Sequence, residues 1–316
     1  MSHPCIALAQ ISPRLGDIDA NLELYEQTLT SARGRGADLV LFPELSLTGY
    51  FLKDMVPVVA QRLDGPVVAR LRELSRDVAL VAGFVEEAAD FRFYNAAAYF
   101  EDGELVHVHR KVYLPTYGLF DEGRYFARGR QIRAFDSKFG RMAILVCEDM
   151  WHVSTPYIAT LDGALTILCP STSPLRGIED GAEQDQNSRY WEMINSTYAQ
   201  TFALSVAYAN RVGFEDGIGF WGGSEIVSPQ GERLCKAKYY EEDLVLAEIE
   251  VNDVRRQRIT APLLRDEDVD LTINELLRIA GRRPTDPVEI SAAEPAVPGK
   301  QAGAGKRGRV AGFRQR

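Results

Sequence analysis

No stretch of this 316-residue chain approaches the roughly 18 consecutive apolar residues that a membrane-spanning helix needs. The opening residues, Met1-Ser-His-Pro-Cys-Ile-Ala-Leu-Ala-Gln10, lack a basic segment followed by a long apolar one, so no secretory leader is expected. Cysteine is scarce. The four present (Cys5, Cys147, Cys169, Cys235) are scattered, with neither the density of a disulfide scaffold nor a zinc-ligand spacing. That usage fits a reducing cytoplasm. Histidine is equally sparse at four residues. His107 and His109 share one strand face with Lys111, but no H-x-x-x-H or carboxylate–histidine spacing joins them or His152, so no metal is expected. Basic charge is also in deficit: 36 Lys and Arg against 45 Asp and Glu leave a net −9, which argues against a nucleic-acid surface. The deficit is uneven. From Lys300 onward six basic residues meet no acid, so the chain before them carries −15. From about Pro284 the sequence is rich in Pro, Ala, Gly and charge, with almost nothing to bury. Residues 284–316 are therefore expected to form a disordered basic tail, and residues 1–283 one domain.

The body alternates short apolar runs with amphipathic stretches. Cys5–Ile11 reads as a buried strand. Asp17 or Asp19 can cap a helix whose stripe is Ile18, Leu22, Tyr25, Leu29 and Ala32, ended by Gly34 and Gly36. Further strands are expected at 39–42, 78–85, 95–100, 105–111, 132–135, 142–146, 164–168, 202–209, 224–227 and 244–249. Helices are expected at 66–76, 183–200 and 272–280. Asp102-Gly103 and Lys138-Phe-Gly-Arg141 read as hairpin turns. The glycine-rich 213–223 stretch lacks a phosphate-loop pattern and reads as a turn. Hairpins mixed with crossover helices give mixed sheets, and about a dozen strands exceed what one open sheet usually holds. Two packed sheets with outer helices, an α-β-β-α sandwich, follow.

Three chemically distinct groups stand at the ends of apolar runs: Glu44 after Leu39-Val-Leu-Phe-Pro43, Lys111 after Leu105-Val-His-Val-His-Arg110, and Cys147 after Met142-Ala-Ile-Leu-Val146. In α/β proteins sites form at the carboxyl ends of strands. A thiol, a carboxylate and an ammonium gathered there suit covalent acyl transfer, with sulfur attacking, the carboxylate moving protons and the ammonium steadying an oxyanion. The ammonium would also favour the thiolate. Cys169 is an internal control. It too ends an apolar run, but Pro170 follows it, whereas Glu148-Asp-Met-Trp151 follows Cys147 as a polar turn suited to a pocket.

Phe42-Pro-Glu44, Arg110-Lys-Val-Tyr-Leu-Pro115 and Cys147-Glu-Asp-Met-Trp151, in that order, resemble the three signatures of the nitrilase, or carbon–nitrogen hydrolase, superfamily. The resemblance runs from about Ile6 to about Ile279 and includes Phe120-Asp-Glu-Gly-Arg-Tyr-Phe126 and Phe220-Trp-Gly-Gly-Ser-Glu-Ile-Val-Ser-Pro-Gln-Gly231. It implies the α-β-β-α fold, a homodimer or higher homo-oligomer and no cofactor. It also implies Glu44 as base, Lys111 as the lysine, Cys147 as nucleophile, and Glu122 as a further acid that positions lysine and substrate. Within the superfamily, Pro43–Tyr50, Leu114–Phe126 and Cys147–Trp151 are similar to the glutaminase domain of glutamine-dependent NAD synthetases. No Ser-Gly-Gly-x-Asp-Ser pyrophosphate loop of a synthetase domain follows, so the resemblance implies a free-standing amidase. By resemblance and position, Tyr50, Tyr117, Glu148 and Ser173 are expected to wall the substrate or recognise its amine. The expected substrate is a small carboxamide, glutamine-like among the candidates, cleaved through a cysteine thioester. The alternatives are a nitrile hydrolase with the same triad and a glutaminase subunit feeding ammonia to a separate synthetase.

Overall fold

The computed structural model describes residues 3–175 and 186–281. The expected tail at 284–316, and the boundary before it, lie outside the described residues. In chain order the strands are β1 (Cys5–Gln10), β2 (Leu39–Leu41), β3 (Ala79–Glu87), β4 (Phe93–Glu101), β5 (Glu104–Arg110), β6 (Ala134–Ser137), β7 (Gly140–Ile144), β8 (Thr166–Ser171), β9 (Ser205–Asn210), β10 (Val212–Glu215), β11 (Ile218–Trp221), β12 (Glu225–Val227), β13 (Arg233–Lys236) and β14 (Asp243–Glu248). The helices are α1 (Ile18–Gly34), α2 (Val56–Val59), α3 (Pro66–Leu74), α4 (Glu122–Tyr125), α5 (Ser154–Leu161), α6 (Gln186–Phe202), α7 (Val251–Thr260) and α8 (Val269–Ala280). Two compact units divide the chain, Met1–Glu267 and the part from Asp268 onward. The second contains α8, whose first turn is capped by Asp268 accepting from the Leu271 N–H. None of the described helices is long and apolar enough to cross a membrane.

The first unit holds two six-stranded mixed sheets, ordered β14-β1-β2-β3-β4-β5 and β13-β12-β9-β8-β7-β6, plus the β10–β11 hairpin. Strand alternation explains the layers. On the first sheet Ile6, Leu8, Leu39, Leu41, Val81 and Tyr99 face the second sheet and share its core with Ile144, Ile167 and Ala207. Their sequence neighbours Ala7, Ala9, Val40, Phe42, Leu80 and Phe100 face the other way, onto Tyr25 and Leu29 of α1 and Val68 and Leu71 of α3. On the far side of the second sheet α5 and α6 pack with Ala159, Trp191, Ile194 and Ala199. Each large side chain buried this way stabilises the sandwich by about 1.5–3 kcal/mol. The expected four-layer α-β-β-α arrangement is therefore present.

The topology also fixes where loops collect. β1, β2 and β3 run parallel, and β5 is antiparallel to β4, which is antiparallel to β3. The carboxyl ends of β2 and β5 thus share one edge. In the second sheet β7, β8 and β9 run parallel, so the ends of β7 and β8 share an edge too. Seven of these elements are additional to the sequence expectations: the 213–223 stretch contains the β10–β11 hairpin rather than a turn alone, and the short helices α2 and α4, the helices α5 and α7, and the strand β13 are new.

Candidate active site

Glu44 follows β2 at the bottom of a buried loop. Gly83 on β3 makes room for it: a Cβ there would sit 2.5 Å from the Pro43 carbonyl oxygen and 2.6 Å from the Leu45 nitrogen. Both Glu44 carboxylate oxygens are engaged. Oε1 accepts from Asn95 Nδ2 at 2.8 Å and from Lys111 Nζ at 2.7 Å, and Oε2 accepts from the Thr172 backbone N–H at 2.8 Å. Lys111 follows β5 and is 1% exposed. Its Nζ also donates to Glu122 Oε1 at 2.6 Å, so one buried ammonium sits between two buried carboxylates. Burial alone would push the lysine down, but Glu122 and Glu44 outweigh it and hold it well above the usual range. Burial pushes Glu122 up, Lys111 opposes that rise, and Glu44 adds to it. Tyr50 donates its hydroxyl to the same Glu122 oxygen.

Cys147 opens the turn after β7 with a positive φ of 46°, a left-handed conformation that costs a non-glycine residue of order 1–3 kcal/mol. The turn is pinned by Asp149, whose Oδ2 accepts from the Val146 N–H at 3.0 Å and Oδ1 from the N–H groups of Val112 and Tyr113 at 3.0 and 2.9 Å. His109 Nε2 meets Oδ2 at 2.8 Å. One buried carboxylate therefore ties the segment carrying Lys111 to the turn carrying Cys147. Ser171 donates its hydroxyl to Cys147 Sγ at 3.4 Å. The thiol lies well above its ordinary range because of burial first and the Glu44 charge second, with Lys111 pulling the other way. The expected lowering by Lys111 is real but outweighed by burial and Glu44.

Cys147 lines a cavity of about 110 Å³ together with Tyr117, Phe120, Glu148, Trp151, Ser173 and Asn187. Tyr117 reaches both oxygens of Glu148, at 3.0 and 2.9 Å, and burial pushes Glu148 above the usual carboxylate range. The Ser173 hydroxyl accepts from Trp191 Nε1 at 2.9 Å and Asn187 Nδ2 at 2.8 Å. Three of the four expected substrate contacts thus lie at the cavity. Tyr50 does not. It faces a separate small cavity with Leu119 and Phe126 and touches the site through Glu122. Its backbone N–H, with that of Phe51, is held by Glu215, which is itself paired with buried Arg211. Asn95, Thr172, Ser171 and the His109–Asp149 pair were not singled out in the sequence for the site. Only Asp149 carried a local signal there, inside the Cys147–Trp151 motif. Cys169 is fully buried in the core, as its place within an apolar strand implies. His107 stacks on Phe135 and His152 on Tyr113, and no group of three potential metal ligands exists among the described residues.

A thiol, an ammonium and two carboxylates, buried where two facing sheets of an α-β-β-α sandwich end, define a hydrolase of carbon–nitrogen bonds. The sequence profile of the carbon-nitrogen hydrolase family matches residues 5–259, and the chain belongs to that family. It is 33% identical over 262 residues to the glutamine-dependent NAD(+) synthetase of Acinetobacter baylyi, covering 82% of this chain and 47% of that protein. The chain thus spans about half the length of the NAD(+) synthetases it matches. Among solved structures, a carbon-nitrogen hydrolase from Helicobacter pylori superposes with a TM-score of 0.78 at 27% identity, covering 87% of this chain and 99% of that one. A glutamate-to-glutamine variant of the amidase from Nesterenkonia sp. AN1, with the acetamide moiety of fluoroacetamide added at its active-site cysteine, superposes with a TM-score of 0.72 at 27% identity, covering 86% and 97%.

Proposed function

We propose that the enzyme hydrolyses a small primary carboxamide, with glutamine as the first candidate, and that Cys147 is its nucleophile. The observation that carries this reading is the Lys111 ammonium held between Glu44 and Glu122 behind a cavity that Cys147 lines. Glu44 takes the thiol proton as Sγ attacks the amide carbon. Lys111 and the backbone N–H after Cys147 donate to the developing oxyanion. Losing one such donor typically costs about 2.7–4 kcal/mol of transition-state stabilisation. Glu44 then delivers its proton to the departing amine, leaving a thioester. A water molecule, deprotonated by Glu44, attacks the thioester carbon, the carbon–sulfur bond breaks, and the acid leaves as the proton returns to sulfur. Glu122 holds Lys111 in place.

The cavity's size favours a small substrate, since sites for larger ligands run to about 300–1,000 Å³. The Glu148 carboxylate at its wall suits an ammonium on the substrate, as in an α-amino acid amide. The likeness to glutamine-dependent NAD(+) synthetases supports the same choice and favours one second reading, in which the released ammonia feeds a synthetase. We place the protein in the cytoplasm on its four free cysteines, and read it as a homo-oligomer joined across α5 and α6, where Val153, Ile158, Tyr190 and Met193 are exposed.

Ammonia release from glutamine, short aliphatic amides and their matched nitriles tests the reading, with intact-mass detection of an acyl adduct on Cys147. Amide turnover with an adduct that vanishes in Cys147→Ala is the expected result. Turnover of nitriles alone, or undiminished activity in the alanine variant, overturns it.

A further inference from the structure

Beside β5 lies a second and larger cavity, of about 500 Å³, whose lining shares no residue with the Cys147 cavity. Its walls include Arg92, Arg110, Arg128, Arg130 and Arg133, together with His107, and no aspartate or glutamate. In a chain of net charge −9, five guanidiniums around one cleft are a local reversal of sign. Two of the five are neutralised nearby: Arg92 pairs with Asp90, and Arg110 with Glu86. Arg128, Arg130 and Arg133 have no carboxylate partner among the described residues. His107 Nε2 is buried and likewise lacks a hydrogen-bond partner. A concave site with three unpaired cations and an orphaned ring nitrogen focuses potential and recruits an anion.

The segment bearing the arginines is tightly held. Gly129 donates its N–H to the Lys111 carbonyl at 2.8 Å, and Arg128 Nε donates to the Val112 carbonyl at 3.1 Å. A Cβ on Gly129 would fall 1.9 Å from the Arg110 carbonyl oxygen, so the two backbones touch. The arginines are therefore presented from a fixed track rather than from a loose loop. Guanidinium forks match phosphate oxygens in a bidentate way. A cleft of about 500 Å³ walled by several guanidiniums has room for an anion with linked phosphates, each met by a different fork.

We propose that this cavity is a binding site for an anion carrying two or more linked phosphate groups, distinct from the amide site. Isothermal titration calorimetry at pH 7.5 and low salt tests this on the full chain, with pyrophosphate, ADP, orthophosphate and citrate as titrants. Pyrophosphate is expected to bind at least tenfold more tightly than orthophosphate or citrate, and to weaken steeply with added salt. Affinity comparable for ADP and pyrophosphate identifies the free diphosphate group as sufficient, and tighter ADP binding identifies a nucleotide as the source of that group. The Arg130→Gln/Arg133→Gln variant, both positions being exposed, is expected to keep its circular dichroism and melting temperature and to lose at least tenfold in pyrophosphate affinity. No heat with either phosphate compound, citrate binding as tightly as pyrophosphate, or unchanged affinity in the folded double variant overturns the site. None of these readouts depends on amide turnover, so their failure leaves the reading of the Cys147 site untouched.

Discussion

The buried Lys111 ammonium is the residue on which the site's electrostatics turn. It pairs with two carboxylates that are themselves nearly inaccessible to water. Removing one partner of a buried ionic cluster is far costlier than the cluster's net contribution, because the remaining charges stay unpaired. Lys111→Met keeps the chain's length and should lose about 3–5 kcal/mol at pH 8 by urea denaturation. The sign of its pH dependence follows. With the cation gone, burial holds Glu122 still further above its ordinary range, so it binds protons more readily folded than unfolded and the variant's deficit should shrink as pH falls toward 5. A deficit that is constant over that range would mean that the carboxylates are not paired as described. His107 gives the opposite case. Burial, then the neighbouring His109, lowers it from 6.5 to about 4. The unfolded chain therefore binds the extra proton between those values, and stability present above pH 6.5 is lost on acidification. The slope attributable to His107 is at most about 1.4 kcal/mol per pH unit. Urea midpoints of the parent and of His107→Gln between pH 4.5 and 7 should converge as pH drops, and parallel curves would remove His107 from the account.

At the scale of elements, what matters is how strand ends are fastened to one another. Asp149 accepts three backbone N–H groups from two segments and one contact from His109. Asparagine can replace only one of those oxygens as an acceptor, and turns N–H donors toward the others. Asp149→Asn should lower stability by about 1–3 kcal/mol. It should also slow Cys147 acylation about 10- to 100-fold with little change in KM, because the turn moves rather than the cavity wall. Equal acylation rates in stopped-flow mass measurements would show that the carboxylate only packs. Gly83→Ala acts from the other sheet. Its Cβ must displace the Glu44 loop, which should cost about 1–3 kcal/mol and lower kcat more than KM. The same fastening explains what the sequence conveyed. Glu44, Lys111 and Cys147 were legible because each is a polar group ending an apolar run, a signal contained in a few neighbouring residues. Asn95, Thr172 and His109 were not, because their roles exist only across 51, 128 and 40 residues of chain. The β10–β11 hairpin was missed although Asp216-Gly217, both at positive φ, is a good hairpin turn. Its glycines masked the alternation. Tyr50 was read toward the substrate because its motif lies beside Glu44, whereas folding aims its hydroxyl at Glu122.

For the molecule as a whole, the site exists only where two sheets meet, since Glu44 and Lys111 come from one and Cys147 and Thr172 from the other. Anything that tilts the second sheet's outer helices is therefore felt at the thiol. Trp151, on the cavity wall, stacks on Tyr190 of α6 with centroids 4.6 Å apart and planes 9° from parallel, and stands edge-on to Trp191 at 5.5 Å. Tyr190 is 45% exposed and Met193, one turn on, 56%, with Ile158 of α5 at 42%. Such side chains, on two helices that pack together, suit burial by a second copy, and that burial would clamp Tyr190 and through it Trp151. Ile158→Glu with Met193→Glu places charge on that face without touching the core. The pair should shift the mass measured by sedimentation to that of the 35.2 kDa monomer. The melting temperature should fall by only a few degrees, and activity at saturating amide by about tenfold or more. Restoration of turnover at high protein concentration would follow from the same linkage, because association stabilises the clamped arrangement by mass action. A variant that sediments as the parent does, or a monomer that turns over as fast, would separate the outer face of α5 and α6 from the chemistry at Cys147.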